Sequence, residues 1–225
     1  MKILVVEDEP DMLEVIHKYM QHEGFVCETA KNYRIASDKI YIYRYDIILL
    51  DLTLPDGNGL SLLQELKEKD PQAGVIIISA KNSIDEKIKG LDLGADDYIT
   101  KPFHLAELNS RVKAIIRRKN FEGNREIVFN EIRIEPESML VQVNDNPVEL
   151  TKKEFDLLIY FANNKNRVVS KESIAEHLWG DYMDTADNFD FIYTHIKNLR
   201  KKLIEKGSGD YIKTIYGFGY KFTDH

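Results

Sequence analysis

Cysteine is nearly absent: Cys27 is the single one in 225 residues. No disulfide can close within the chain and no cysteine-built metal site can form, so a reducing, cytoplasmic setting is expected. Long apolar runs are also missing. None approaches the ~18 residues of a membrane span, so no membrane partner is expected. The apolar stretch after Lys2 stops at Glu7-Asp8-Glu9, too short for a secretory leader. Positive charge is in deficit, with 31 Lys and Arg against 38 Asp and Glu and a net charge of −7. That total argues against a nucleic-acid partner, but its distribution argues the other way. Residues 195–225 carry seven basic and three acidic residues, a local patch of the kind DNA binding needs. The 43% apolar fraction suits folded domains, and the length fits two domains of roughly 100–150 residues.

What is present centres on Asp46–Gly59, DIILLDLTLPDGNG. Ile47, Ile48, Leu49 and Leu50 form an unbroken apolar run, the pattern of a parallel strand buried on both faces. Asp51 ends that strand. In open α/β sheets this edge collects ligands and chemistry. An Asp that merely caps the turn before Pro55-Asp56-Gly57 fits this stretch equally well, so other stretches must decide.

The first half supplies them. Lys2–Val6 reads as a strand ending on acids, with Pro10 opening a helix through Leu13, Ile16 and Met20. Phe25–Ala30 reads as a strand and Ile35–Arg44 as a helix. After the central strand comes a helix through Leu60, Leu63 and Leu66. Val75–Ile78 is a buried strand ending on Ser79, and Ile84, Ile88 and Leu91 line one face of a helix that Gly94 ends. Asp97–Ile99 is a short strand, and Lys101-Pro102-Phe103 precedes a last helix through Leu105, Leu108, Val112 and Ile115. Five strands alternating with five helices predict a doubly wound parallel sheet. Its carboxyl edge then carries Glu7, Asp8, Asp51, Ser79 and Lys101. Clustered carboxylates repel unless a hard cation sits among them, and Mg²⁺ suits such a set together with phosphate oxygens. A lysine and a hydroxyl supply donors for the remaining phosphate oxygens. The set reads as a phosphoryl site in which Asp51 is nucleophile or ligand.

Residues 1–119 resemble the receiver domain of two-component response regulators, through VVEDE, LLDLTLPDGNG, ISA and GADDYITKPF in order. The resemblance implies a CheY-like sheet of order 2-1-3-4-5 and a phosphoryl group passed from a sensor histidine kinase to Asp51. It implies Mg²⁺ held by Asp8, Asp51 and the backbone carbonyl of Thr53, with Glu7 acting through water. Lys101 would pair with the phosphoryl oxygens, Ser79 would be the switch hydroxyl and Tyr98 the switch aromatic. It further implies a homodimer through the face of the fourth helix, fifth strand and fifth helix, where Lys87, Asp92, Asp97, Glu107, Arg111 and Lys113 hold the ion-pair positions. Haloacid-dehalogenase-like phosphatases also phosphorylate an Asp at a strand end. They place a second Asp two residues later as general acid, where this chain has Thr53, so a multiple-turnover enzyme is not expected.

Residues 120–126 are polar and aperiodic, a linker profile. Short alternating segments follow at Ile127–Phe129, Ile132–Ile134, Leu140–Val143 and Val148–Leu150, predicting a small antiparallel sheet. Thr151 with Glu154 has capping-box spacing at the start of a helix. Ser170 or Ser173 can cap a second helix, which ends near Trp179, a packing residue by its apolar neighbours. A third helix over about Asn188–Glu205 carries Phe191, Ile192, Ile196, Leu199 and Leu203 on one side and presents a basic other side. Tyr211–Phe222 reads as a hairpin. Helix, turn and basic helix suit a DNA major groove.

Residues 127–222 resemble the winged-helix output domain of OmpR/PhoB-type regulators, through LTKKEFDLL, VVSKESIAEHLW, HIKNLRKKL and YIKTIYGFGYKF. By position, the resemblance implies that His195, Lys197, Asn198 and Arg200 face double-stranded DNA. Lys201 and Lys202 would meet its backbone or groove edge, and Thr194, Lys213 and Lys221 its phosphates. Asp181–Asp187 would be a loop able to touch RNA polymerase. Two positions depart from the family pattern: Tyr216 stands where the wing usually has arginine, and Asp190 where a basic residue is frequent. Two other outputs fit the same chain, a receiver acting by protein contact and a DNA-binding regulator independent of phosphate.

Overall fold

The computed structural model describes residues 1–120, 126–136, 138–180 and 189–224. The chain divides into two compact units, Met1–Lys119 and Asn120–His225. The first runs β1 (Lys2–Val6), α1 (Pro10–His22), β2 (Val26–Ala30), α2 (Tyr33–Ile42), β3 (Ile47–Asp51), β4 (Thr53–Leu54), β5 (Gly57–Asn58), α3 (Gly59–Lys69), β6 (Gly74–Ser79), α4 (Ile84–Asp92), β7 (Asp97–Thr100) and α5 (Leu105–Asn120). Its parallel sheet has the order β2-β1-β3-β6-β7. Counting only the strands of this sheet, that is the expected 2-1-3-4-5.

Every residue of β1, β3 and β6 is buried, as their unbroken apolar runs demand of a sheet covered on both faces. Alternation divides the load. Leu4, Val6, Ile48, Leu50, Val75 and Ile77 join one core cluster with Ala36 and Ile40 of α2 and Leu62, Leu63 and Leu66 of α3. The two-residue ribbon of β4 and β5 was not legible in the sequence. It pairs Thr53 with Asn58 and Leu54 with Gly57 beyond the end of β3. Gly59 makes it possible, because a Cβ there would lie 2.4 Å from the Asp51 carbonyl oxygen.

The α4 helix forms as expected, and its stripe faces outward: Ile84, Ile88 and Leu91 are 73%, 51% and 45% exposed. The helix instead approaches the sheet through Gly90, where a Cβ would meet Ile77 at 2.5 Å. Packing through the smallest residue leaves the apolar stripe outside.

The second unit contains β8 (Ile127–Phe129), β9 (Ile132–Glu135), β10 (Leu140–Val143), β11 (Asn146–Pro147), α6 (Lys152–Asn163), β12 (Val168–Val169), α7 (Lys171–Trp179), α8 (Asp190–Glu205), β13 (Ile212–Ile215) and β14 (Gly219–Phe222). Four strands form an antiparallel sheet ordered β11-β10-β9-β8, and three form a second, ordered β12-β14-β13. The expected strand at Val148–Leu150 is replaced by β11. Asn144 and Asp145 both have positive φ, 50° and 62°, so a two-residue turn starts the return strand at Asn146. Thr151 caps α6 in a full capping box with Glu154, and Ser170, not Ser173, caps α7. Phe155, Leu158 and Phe161 of α6, Ile174 and Leu178 of α7 and Ile192, Ile196, Leu199 and Leu203 of α8 are buried in this unit. Among the described residues no helix is long and apolar enough to cross a membrane.

Candidate functional site

Four strand ends build the site of the first unit. β1 delivers Glu7 and Asp8 beyond Val6, β3 ends on Asp51, and β6 ends on Ser79. Lys101 follows β7, its N–H bonded to the Ser79 carbonyl at 2.9 Å. The Lys101 ammonium donates to Asp51 Oδ2 at 2.6 Å and to Glu7 Oε1 and Oε2 at 2.9 and 2.7 Å. Asp51 Oδ1 accepts from the Thr53 N–H at 2.9 Å. The expected acids thus lie together, and Glu7, Asp8 and Asp51 offer oxygens within 4.8 Å of one another.

Burial sharpens the electrostatics. Glu7 is 2% exposed, Asp51 5% and Ser79 0%, while Asp8 opens to solvent. Burial pushes the Glu7 carboxyl above its usual range and the Asp51 charge adds to this, although hydrogen bonding and attraction from Lys101 oppose it. Burial works against the Lys101 ammonium, yet its bonds to Asp51 and Glu7 outweigh that and raise its pKa. An all-oxygen donor set with one member facing water fits a hard divalent cation. Behind it, Ser79 Oγ accepts from the Lys81 N–H at 3.2 Å. The Tyr98 hydroxyl donates to the Lys81 carbonyl at 2.8 Å.

The charges expected on the α4-β7-α5 face are largely engaged within the chain. Arg111 pairs with Asp97 and Glu107, each at 2.8 Å. Lys87 lies 5.9 Å from the Tyr98 ring centre. Lys113, roughly 200° around the helix from Arg111, pairs with Glu23 at 3.0 Å.

In the second unit, Thr194, Lys197, Asn198 and Lys201 form one exposed stripe on α8, at i, i+3, i+4 and i+7. Lys213 is exposed on β13 and sits opposite the half-buried Lys221 of β14. Three expected DNA residues have partners inside the unit. Arg200 makes a two-point bond to Asp210, 3.0 Å from Nε to Oδ1 and 2.6 Å from Nη2 to Oδ2. Lys202 pairs with buried Glu154 at 2.7 Å. The His195 ring packs 5.5 Å from that of Trp179. Trp179, half-buried, also meets Phe191 edge-on at 4.9 Å, consistent with a packing role. The Asp210 and Glu154 partners were missed because these pairs join residues 10 and 48 positions apart. The loop expected to reach polymerase, Asp181–Asp187, lies outside the described residues.

Residues 3–113 match the response regulator receiver domain and residues 145–222 the transcriptional regulatory protein C-terminal domain. The response regulator ArlR of Staphylococcus aureus is 38% identical over 220 residues, spanning 97% of this chain and 98% of that relative. The chain belongs to the OmpR/PhoB-type response regulators. Among solved structures, a CheY-like receiver domain protein from Methanospirillum hungatei is 28% identical, covers 54% of this chain and 98% of its own, and has a TM-score of 0.53. A two-component response regulator from Clostridium difficile is 30% identical, covers 53% and 98%, and has a TM-score of 0.52. This response regulator is therefore a phosphorylation-controlled, DNA-binding transcriptional regulator. Its family implies a histidine kinase as phosphoryl source and DNA as target.

Proposed function

We propose that Asp51 is the phosphoacceptor and that its phosphorylation drives dimerisation and binding to repeated DNA half-sites. The observation that carries this is the Lys101 ammonium held between Asp51 and Glu7 at the sheet edge. A carboxylate oxygen of Asp51 attacks phosphorus, the phosphorus–nitrogen bond of the kinase phosphohistidine breaks, and the imidazole leaves with the bonding pair. Glu7, Asp8, Asp51 and the Thr53 carbonyl would hold Mg²⁺, which supplies charge neutralisation between the carboxylates and the incoming oxygens. Lys101 then pairs with the phosphoryl group. No acid stands at Thr53 to protonate a leaving alcohol, so the regulator takes part in one transfer and is not a multiple-turnover phosphatase.

Phosphorylation adds about −1.5 to −2 charge and three acceptors beside Ser79. The Ser79 hydroxyl donates to one of them, and Tyr98 exchanges its bond to the Lys81 carbonyl for an inward position. The face of α4, β7 and α5 is remodelled as a result. The outward stripe of Ile84, Ile88 and Leu91 supports this face as the dimer contact, with Lys87, Asp92, Asp97, Glu107 and Arg111 supplying ion pairs, while Lys113 stays with Glu23 outside it. On DNA, Lys197 and Asn198 meet the major groove alongside His195 and Arg200. Thr194, Lys201, Lys202, Lys213 and Lys221 meet its backbone. Contact with RNA polymerase and a cytoplasmic setting complete the reading.

Intact mass and sedimentation of wild type and Asp51→Asn, each incubated with Mg²⁺ and acetyl phosphate, test it. The expected result is phosphate mass and a monomer-to-dimer shift in wild type only. Mass gain without dimerisation removes the proposed contact face, and the absence of any mass gain overturns the phosphoacceptor.

A further inference from the structure

The hairpin of β13 and β14 ends in a turn that holds two large aromatic side chains out in solvent. The Phe218 N–H bonds the Ile215 carbonyl at 3.0 Å, and Gly217 between them has φ 78°. This is the geometry of a four-residue turn whose third position requires glycine. Tyr216 and Phe218 flank that glycine and are 90% and 73% exposed. The turn has a firm base. β14 pairs with β12 as well as with β13, and a Cβ at Gly219 would lie 2.1 Å from the Val169 carbonyl oxygen, so the hairpin seats directly on the strand before α7. Exposing two aromatics on a braced turn forfeits the burial that normally holds such residues inside.

The surroundings say what would cover them. The segment Tyr211–Phe222 contains two lysines, Lys213 and Lys221, and no acid. A cleft beside the turn is lined by Tyr216, Phe218, half-exposed Tyr193 of α8 and Lys171, with Glu172 as its one carboxylate. Lysines interleaved with exposed aromatics fit a polyanion that also offers flat apolar surface, which describes the sugar walls and base edges of a DNA groove. Tyr193 of α8 lines the same cleft, so the turn stands beside α8, and a duplex holding α8 in its major groove would present its adjacent groove to the turn.

We propose that Tyr216 and Phe218 bind the minor groove by apolar packing, giving this wing a contact that does not depend on ion release. The inference rests on the DNA-binding reading above. A cationic wing residue at the same place would release counterions and steepen the salt dependence of binding, whereas an aromatic one leaves the slope unchanged.

The experiment measures affinity against salt concentration for the full-length phosphorylated regulator, on a duplex recovered from a random-sequence pool with the wild-type protein. The variant Tyr216→Ala with Phe218→Ala is expected to bind about tenfold to a hundredfold more weakly at every salt concentration with an unaltered slope. Tyr216→Arg is expected to steepen the slope by about one ion. Lys197→Ala with Asn198→Ala serves as the control for the underlying reading. If the aromatic double variant binds like wild type while the control variant is weakened, the wing inference is overturned and DNA binding through α8 stands. If no duplex is recovered, or the control variant also binds like wild type, the DNA reading itself fails and the inference falls with it. A double variant that weakens binding but flattens the slope overturns the apolar mechanism, because the loss is then electrostatic.

Discussion

The two units carry their functional groups in opposite ways. In the receiver unit, Glu7, Asp51 and Ser79 are buried and bonded to Lys101 or to the adjoining backbone. In the output unit, Thr194, Lys197, Asn198, Lys201 and Lys213 are exposed. The difference follows from the chemistry each unit has to do. A phosphoryl site needs charges held in place and shielded from bulk water, where each is worth more and each costs more to leave unpaired. A groove-binding surface needs charges free to meet phosphates, and its contribution is screened by salt. Changes in the receiver should therefore act on fold and function together, whereas changes on the output stripe should act on binding alone.

The largest test of that contrast is Lys101→Ala. It leaves Glu7 and Asp51 buried without their shared ammonium, and removing one partner of a buried ion pair costs about 3–5 kcal/mol. Thermal unfolding of the full chain should show that loss, and Mg²⁺ should restore part of it through the same carboxylates. A variant as stable as wild type without Mg²⁺ would mean that water, not the ammonium, compensates the acids.

A smaller effect separates contact from support on α8. Arg200 and Asp210 are partly exposed, so their pair contributes up to about 1 kcal/mol. If Arg200 serves mainly to hold α8 to the start of β13, Arg200→Ala and Asp210→Asn should weaken DNA binding by similar small factors in a gel-shift titration. If Arg200 reads a base directly, Asp210→Asn should tighten binding while Arg200→Ala loosens it.

The smallest is a pH effect in the output unit. Burial would raise the Glu154 carboxyl, but its bonds to Lys202 and Thr151 outweigh that and hold its pKa below the ordinary 4.5. A depressed carboxyl contributes stability that is present above its unfolded pKa and is lost as pH falls through its folded pKa. Trp179, the single tryptophan, reports on this unit by fluorescence. Wild type should lose stability as pH falls below 4.5 in this unit, and Glu154→Gln should flatten that dependence. An equal pH dependence in both would assign the loss to other carboxylates.

Much of this was readable in advance for a stated reason. Ile47–Leu50 and Val75–Ile78 are unbroken apolar runs, and a strand covered on both faces leaves no other signature. Glu7 and Asp51 were legible because each follows directly on such a run, with Asp8 beside Glu7, and Lys101 because it follows the last short strand. Thr151 and Glu154 gave the start of α6 because a capping box is local chemistry. The stripe on α4 left its own environment open, because helical spacing reports that one side is apolar, not that anything covers it. Gly90 decided which side met the sheet. The pairings of Arg200 and Lys202 were hidden because a basic residue reads the same whether it faces solvent or an acid brought close by folding.

The sequence by itself determined the order of elements, the doubly wound sheet and the identities of Glu7, Asp8, Asp51, Ser79 and Lys101, since these depend on runs, caps and neighbours along the chain. Only the tertiary structure decided that Lys101 bridges Asp51 and Glu7, across 50 and 94 positions. It alone turned the α4 stripe outward, paired Lys202 with Glu154 and left Tyr216 and Phe218 at the tip of a braced turn. These depend on which surfaces meet in space, and the packing energy that selects them belongs to pairs of elements rather than to any one stretch of sequence.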